Sequence, residues 1–442
     1  MHLAHFVQRF PPALGGSEAY FARLGEYLVG RGDTVNVWTT TAIDLEAFWK
    51  KGKKELPQSA NRSGVLRFLP LRFPGRRYIL KAASLLPFPA WQAVTLPCNP
   101  ICPGMWRAVK RYDGPLDAVH ATAFPYAFPI LCGLNLARRR GVPFLLSPFL
   151  HLGDPTDPHD RTRKQYTFRP LRWLLRQADR VFVQTPSERE MAIELGVPER
   201  KVVLQGLGVE PAECTGGNRE AARSRWNASP NEVAIGHLAN NSVEKGTVDL
   251  LKAVERMGVD CRVVLAGPEM ANFKIFWESY GPKHRFTRLG VLSESEKRDF
   301  FAGIDLFALP SRSDSFGLVL LEAWANGKPV VAYRAGGPAD LIRDGIDGRL
   351  APCGNVEKLA ECMAELIRNS ATRDAMGAAG RKRVGEEFRW EDKLKRVRDV
   401  SSEAISEGKR VRGGASTLFS FRRGSEWSAP RSAPTRGEKM DG

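Results

Sequence analysis

The sequence predicts an α/β protein of two Rossmann-like domains, each with a parallel sheet, facing each other across an interdomain cleft. Three observations carry that expectation. Short apolar runs of strand length alternate with longer helical runs through most of the 442 residues, the pattern of parallel strands joined by right-handed crossover helices. Glycine pairs stand at two strand-to-helix turns, Gly15-Gly16 and Gly336-Gly337, where a missing Cβ lets backbone approach a ligand. Between them, Gly206 to Asn218 holds four glycines, a proline and no apolar run, which makes it the best hinge.

In the first half, His2 to Gln8 reads as a strand and Ser17 to Gly30 as a helix with Ser17 as its N-cap. Thr34 to Thr39 is the next strand, completing a βαβ unit. From Phe48 to Trp91 regular alternation is lost. Arg72, Arg76, Arg77 and Lys81 interleave with Phe73, Tyr78, Ile79, Leu85, Phe88 and Trp91. That mixture suits a lipid interface, with apolar groups inserted and cations meeting phosphates, and equally suits a packed loop and helix rimming the cleft. Ala121 to Ala137 is uncharged but interrupted by Pro125, Pro129, Gly133 and Asn135, so it reads as a loop and a buried helix rather than a membrane span. Asp117-Ala-Val-His120 ends a strand and brings His120 to the C-terminal sheet edge, where ligands gather in such folds. His151, in the loop after the strand Pro143 to Pro148, is a second and weaker candidate. Arg161 to Gln177 is a basic helix or pair of helices broken by Pro170, followed by a strand and a helix cap within Ala178 to Ser187 and a strand at Lys201 to Gln205.

In the second half, Val233 to Leu238 is a strand ending in Gly236-His237, and Lys245 opens a helix. A lysine there opposes the helix dipole, and a bound diphosphate is one reason for it. Cys261 to Ala266 and Phe286 to Gly290 are strands, the latter leading into Val291-Leu-Ser293. The stretch that organises the rest runs from Ile304 to Gly327: a buried strand to Leu309, a loop from Ser311 to Ser315, and a helix from Phe316 to Asn326. Its helix start aims free N–H groups at the crevice, where an anion is the natural occupant. Asp314 and Glu322 flank it. Eight residues of helix rise about 12 Å, too far for a dyad on one bond but suited to holding two ends of a sugar–diphosphate–ribose ligand. The alternative is that Asp314 or Ser315 is an N-cap and Glu322 a solvated helix residue. A polar helix from Glu391 to Glu407 ends the folded region. Lys409 to Gly442, with eight basic and three acidic residues, is expected to lack structure.

Pro310-Ser311-x-x-Asp314-Ser-Phe-Gly-Leu-Val-Leu-Leu-Glu322-Ala resembles the E-x7-E signature of retaining glycosyltransferases of family 4 (glycosyl transferases group 1), with Asp where Glu is usual. The Asp117 to His120 turn and the Ala178-Asp-Arg-Val stretch are similar to that family as well. The resemblance implies the GT-B fold, with an acceptor-side domain at residues 1–206 and a donor domain at 207–387. A helix at 388–408 would cross back to the first domain, with a basic tail at 409–442. It implies transfer of a sugar from a nucleoside-diphosphate donor, with retention and without metal or other cofactor. By the same resemblance Asp314 lies near the donor sugar and Glu322 binds the ribose. Lys245 and the N–H groups of Ser315, Phe316, Gly317, Leu318 and Val319 take the diphosphate, Val291 lies beside the base, and Gly15, Gly16 and His120 come from the opposite domain. The family's arginine after the strand glycine is replaced by His237, which leaves half of the phosphate clamp without a named residue.

Hydrophobic content of 43% and charged content of 26% are ordinary for a globular chain. Seven scattered cysteines support neither a zinc site nor a disulfide framework. With no visible leader at Met1 to Arg9, a cytoplasmic protein is expected, associated with a membrane face if the basic segments bind lipid. The net charge of +17 fits an anionic substrate or membrane better than nucleic acid, given the motifs. The expected partners are a nucleotide-sugar and a glycan or lipid-linked acceptor of the cell envelope or an exopolysaccharide. A nucleotide-sugar epimerase or a catalytically idle binding protein on the same fold are the alternatives.

Overall fold

A computed structural model describes residues 1–13, 15–57, 64–281 and 285–420, with side chains through Arg410. Strands β1 (His2–Phe6), β2 (Thr34–Thr40), β3 (Val65–Phe68), β4 (Ala118–Ala121), β5 (Phe144–Leu146), β6 (Arg180–Val183) and β7 (Val202–Leu204) form one sheet, in the order β3-β2-β1-β4-β5-β6-β7. Strands β8 (Ala234–Leu238), β9 (Arg262–Ala266), β10 (Arg285–Gly290), β11 (Leu306–Leu309), β12 (Val330–Tyr333) and β13 (Gly348–Ala351) form the other, in the order β10-β9-β8-β11-β12-β13. Every pairing between these strands is parallel.

The strand order reverses between β1 and β4 in the first sheet and between β8 and β11 in the second. Crossovers leave in opposite directions from such a point and open a crevice at the C-terminal strand ends. Both faces of each sheet are covered over its middle, so inner strands such as β4, β9, β11 and β12 are buried on both sides while the edge strand β10 is exposed. Leu3 joins Phe21 and Leu24 in one apolar cluster while Ala4 and Phe6 join Ile130 and Leu134 in another. The first of these clusters runs on through Trp390 and Phe388 to Trp324 of the second half, so the two domains share apolar packing on that side.

The chain crosses between the halves twice at one place. Val209 N–H donates to Phe388 O at 2.8 Å, and Gly208 passes so close to Trp390 that no side chain fits there. The helix Trp390–Ser420 then lies along the first domain. Arg398 bonds Asp33 at 2.7 Å, Arg31 meets Glu391 at 2.7 Å, and Arg180 takes both oxygens of Glu407 at 2.8 Å. Asp33 also binds the Met1 amine, at 2.8 Å. Burial raises the Asp33 carboxyl, but Arg398 and the amine outweigh it and hold the group below the ordinary carboxylate value.

Several local expectations change. The helix Gly16–Gly30 is capped by Gly15 rather than Ser17, whose hydroxyl instead bonds Glu18 at 2.8 Å. β3 and β13 are strands that the patterning left unassigned. The final helix continues to Ser420, into the stretch expected to lack structure, while residues 421–442 lie outside the described residues.

Candidate active site

The two switch points face each other, and the loop after β11 stands between them. Leu309 ends the strand, and the chain passes Pro310 to Phe316 before the helix Leu318–Ala325 begins two residues later than expected. Gly317 is the reason. Its φ of 92° is left-handed, which a glycine adopts at no steric cost, and it rather than Asp314 or Ser315 is the N-cap. The first-turn N–H groups of Leu318 and Val319 have no acceptor within the helix. Gly337 N–H donates to Asp314 O at 2.9 Å, so the second glycine loop braces the loop after β11.

Two cavities meet at this helix start, and Leu318 lines both. One, of about 330 Å³, holds Lys245, Asp314, Ser315, Phe316, Gly317 and Val319 from the second domain. Gln8, Arg9, Gly16, Glu18, Tyr126, His151 and Tyr166 line it from the first. The other, of about 560 Å³, holds Glu322, Lys297, Arg298 and Glu294 against Tyr20, Arg23, Gly208, Val209 and Trp390. Asp314 and Glu322 thus stand in separate compartments on either side of the helix N-terminus, although the helix begins only at Leu318, so the expected helical rise over all eight residues does not apply.

Each carboxylate has its own lysine. Lys245 Nζ lies 2.7 Å from Asp314 Oδ2, and Lys297 Nζ lies 2.6 Å from Glu322 Oε1. Burial pushes Asp314 up, but the Lys245 charge and hydrogen bond, with His151 and the Phe316 N–H, bring it below the ordinary value, so it is ionised at neutral pH. Glu322 goes the other way. Burial raises it, Glu294 and Glu213 add to the rise, and Lys297 offsets only part. Lys297 is held above the ordinary lysine value, because Glu322 outweighs the burial that would lower it. A lysine has three donors, so each can keep its carboxylate and still bind an anion.

Gly246 sets Lys245 in place. Its φ is 72°, and a methyl group on it would collide with the carbonyl oxygen of Pro310. Gly246→Ala is expected to cost about 2–4 kcal/mol, lowering Tm by several degrees in a melting curve and disrupting the Lys245–Asp314 pair.

Four expected site residues are not brought to these cavities. His120 is 2% exposed. It lies opposite His5 across β4 and β1, on the sheet face covered by Phe21, with its Nε2 2.8 Å from Ser147 Oγ. Burial, with His5 beside it, drives its pKa well down. His237 is fully buried. Its Nδ1–H donates to Ala308 O at 2.8 Å and its Nε2 accepts from the Thr247 hydroxyl at 3.0 Å, so both nitrogens are spent on fastening the helix after Lys245 to β11. Gly15 is filled by Glu18, whose carboxylate occupies the space a Cβ would need, and only Gly16 lines the cleft. Val291 is 61% exposed and lines neither cavity, while Glu294, three residues on, does.

The structure brings in residues that the sequence left unmarked. Lys297 sits in Glu-Ser-Glu-Lys-Arg-Asp, which reads as a solvated helix face. Glu18 is 3% exposed in its side chain and bonds Arg9 at 2.7 Å. Of the two histidines the sequence offered, it is the second candidate, His151, that lines the cleft: burial and the Lys245 charge lower its pKa to about 4 against the opposing pull of Asp314, so it is neutral at pH 7. Among the described residues, no group of three or more His, Cys, Asp or Glu is disposed to hold a metal ion.

The family model for glycosyl transferases group 1 matches residues 218–383, and that for the glycosyl transferase 4-like domain matches residues 15–208. The chain belongs to the glycosyl transferases group 1, on the GT-B fold. Among curated relatives, D-inositol 3-phosphate glycosyltransferase of Mycobacterium marinum is 30% identical over 54% of this chain and 52% of its own length. Sulfoquinovosyl transferase SQD2 of Arabidopsis thaliana is 27% identical over 90% and 72%. The match thus spans about half the length of the first relative. Solved structures that share the fold include two with near-complete coverage. Sucrose-phosphate synthase of Thermosynechococcus elongatus has a TM-score of 0.70 at 19% identity, covering 92% of this chain and 99% of its own. Anabaena HepE in complex with UDP has 0.66 at 16%, covering 91% and 100%. In this family frame, the two cavities lie between the halves that the two models match.

Proposed function

We propose that this chain transfers a sugar from a nucleoside-diphosphate sugar to an acceptor hydroxyl, with retention at the anomeric carbon, in the synthesis of a cell-envelope or exopolysaccharide glycan. The observation that carries the reading is the helix start at Leu318, flanked by one lysine–carboxylate pair in each adjoining cavity. A diphosphate over the Leu318 and Val319 N–H groups meets the positive end of the helix dipole and the Lys245 ammonium together. Its ribose hydroxyls reach Glu322, and its sugar faces Asp314 and Gly16. The acceptor enters from the first-domain wall of Gln8, Arg9, Glu18, Tyr126 and Tyr166. Negative charge grows on the diphosphate as the glycosidic bond breaks, and donors already aimed at it stabilise that change most.

Retention rests on the family resemblance. UDP is the first nucleotide to try, because the Anabaena neighbour is described in complex with UDP, and in another structure with UDP-glucose. The test is ligand-observed NMR of the purified chain against UDP-, GDP- and ADP-sugars, followed by turnover with glycan and lipid-linked acceptors. Saturation transfer to one nucleotide-sugar class and acceptor-dependent release of the nucleoside diphosphate are expected, with the product keeping the donor's anomeric coupling. Turnover of the donor without an acceptor would favour an epimerase, and binding without turnover an idle scaffold.

A further inference from the structure

A surface between β3 and the helix Ala127–Arg140 is left unused by the cleft chemistry. Tyr78 is 82% exposed, Leu85 80% and Phe88 63%, and Ile79, Leu86 and Trp91 also project to solvent. This corner is held rigid. The buried Arg76 donates to Pro97 O at 3.2 Å and to Asn99 O, pinning the helix Arg76–Ala83 to the domain. Trp91 Nε1–H donates to Ala83 O at 2.8 Å and Gln92 to Ser84 O at 3.0 Å, which locks that helix to the next, Pro89–Thr95. A built corner that keeps large apolar side chains in water has a use for them elsewhere.

Basic side chains gather around it, with Glu55 the acid that pairs with one of them, Arg72. Arg77 and Lys81 stand on the exposed side of the same helix. At the root of the corner lies a cavity of about 370 Å³ lined by Lys51, Leu69, Pro70, Leu71, Arg72, Pro103, Gly104 and Arg107, with no acid in its wall. Arg72 is held by Glu55 at 2.6 Å and by Ala47 O at 2.7 Å. Lys51 and Arg107 make no ion pair among the described residues. Apolar walls with cations above them match a phospholipid, whose acyl chains and anionic phosphate present the complementary order.

We propose that this corner docks on an anionic phospholipid bilayer. Tyr78, Ile79, Leu85, Leu86 and Phe88 enter the headgroup boundary, and the cavity between Lys51, Arg72 and Arg107 takes a lipid phosphate. The turn Leu45–Phe48 ties this face to the cleft: Ala47 O holds Arg72, Phe48 packs edge-on against Tyr126 at 5.3 Å, and Leu45 and Tyr126 line the cleft wall. On the glycosyltransferase reading, docking sets the acceptor wall close to the lipid surface. The docking itself is measured without any turnover.

The test is co-sedimentation of the full chain with vesicles of phosphatidylcholine alone or with about 30% phosphatidylglycerol, a typical anionic surface. The wild type is expected to partition at least tenfold more strongly to the anionic vesicles. Lys51→Gln with Arg107→Gln should weaken that binding about 25-fold, about fivefold per cation, and Leu85→Ser with Phe88→Ser about tenfold. Melting temperature and nucleoside-diphosphate affinity should be unchanged in both variants. If both variants sediment like the wild type, the basic C-terminal segment or bulk charge is the binder and the proposal falls. Absence of wild-type binding, or preference for duplex DNA over anionic vesicles, overturns it as well, and equal binding to phosphatidylcholine alone removes the phosphate site.

Discussion

Glu322→Ala weakens nucleotide-sugar binding by about a hundredfold in calorimetry, on the proposed reading, while the melting temperature falls little. Two ribose hydroxyls donating to one carboxylate are charge-assisted bonds, each contributing about 1.5–3 kcal/mol, and a hundredfold, about 2.7 kcal/mol, sits at the lower bound of what losing both implies. The substitution also frees Lys297, which is 24% exposed in its side chain and so can rehydrate. The effect has a pH counterpart. The Glu322 pKa is raised above the ordinary 4.5, and only its ionised form accepts both hydroxyls. Affinity should be flat above that raised value and fall as pH drops through it, whereas in Glu322→Gln it should be low and nearly independent of pH. An unchanged affinity in Glu322→Ala would remove the larger cavity from the nucleotide site.

Lys245 and Asp314 should separate binding from turnover. Lys245→Ala is expected to weaken free nucleoside diphosphate and nucleotide-sugar alike, by about 30- to 100-fold, because one charge-assisted contact to the diphosphate is gone from both. Asp314→Asn keeps the shape and leaves the lysine free to bind phosphate. Diphosphate affinity should stay within about threefold while turnover falls by about 10²- to 10³-fold. If the free nucleotide binds Lys245→Ala as it does the wild type, the diphosphate lies elsewhere, and if Asp314→Asn turns over normally the aspartate is only an anchor for Lys245.

The parts of the site that the sequence made legible are those fixed by local spacing. Strand, loop and helix from Leu306 to Ala325 follow from an apolar run and a glycine, and they carry Asp314, the 315–319 segment and Glu322 with them. Lys245 was visible because a cation at a helix start runs against the dipole. What stayed hidden was set by tertiary placement. A histidine at the end of a parallel strand faces cleft or core according to one residue of register, and β4 turns His120 to the core against Phe21. His237 is consumed by two hydrogen bonds to groups distant in sequence, Ala308 and Thr247. Lys297 looks like any surface lysine until the helix that bears it is laid beside Glu322. Local pattern does not distinguish β3 from the irregular segment around it either, because its partner β2 supplies the pairing.

The paired crossings at Val209 and Phe388 have a kinetic consequence. With the polypeptide passing between the halves at one seam, the expected opening motion is a swing about that seam, with a gap that grows with distance from it. The compartment holding Glu322 is lined by Gly208, Val209 and Trp390 and so lies on the pivot. The compartment holding Asp314 meets the seam at Leu207 and reaches out from it to Arg9, His151 and Tyr166. On the proposed function, a nucleotide would lodge its nucleoside end in the compartment next to the pivot, and the reacting end would be walled in as the swing completes. On the proposed reading, donor first and acceptor second is the expected order of addition, to be checked by product-inhibition kinetics.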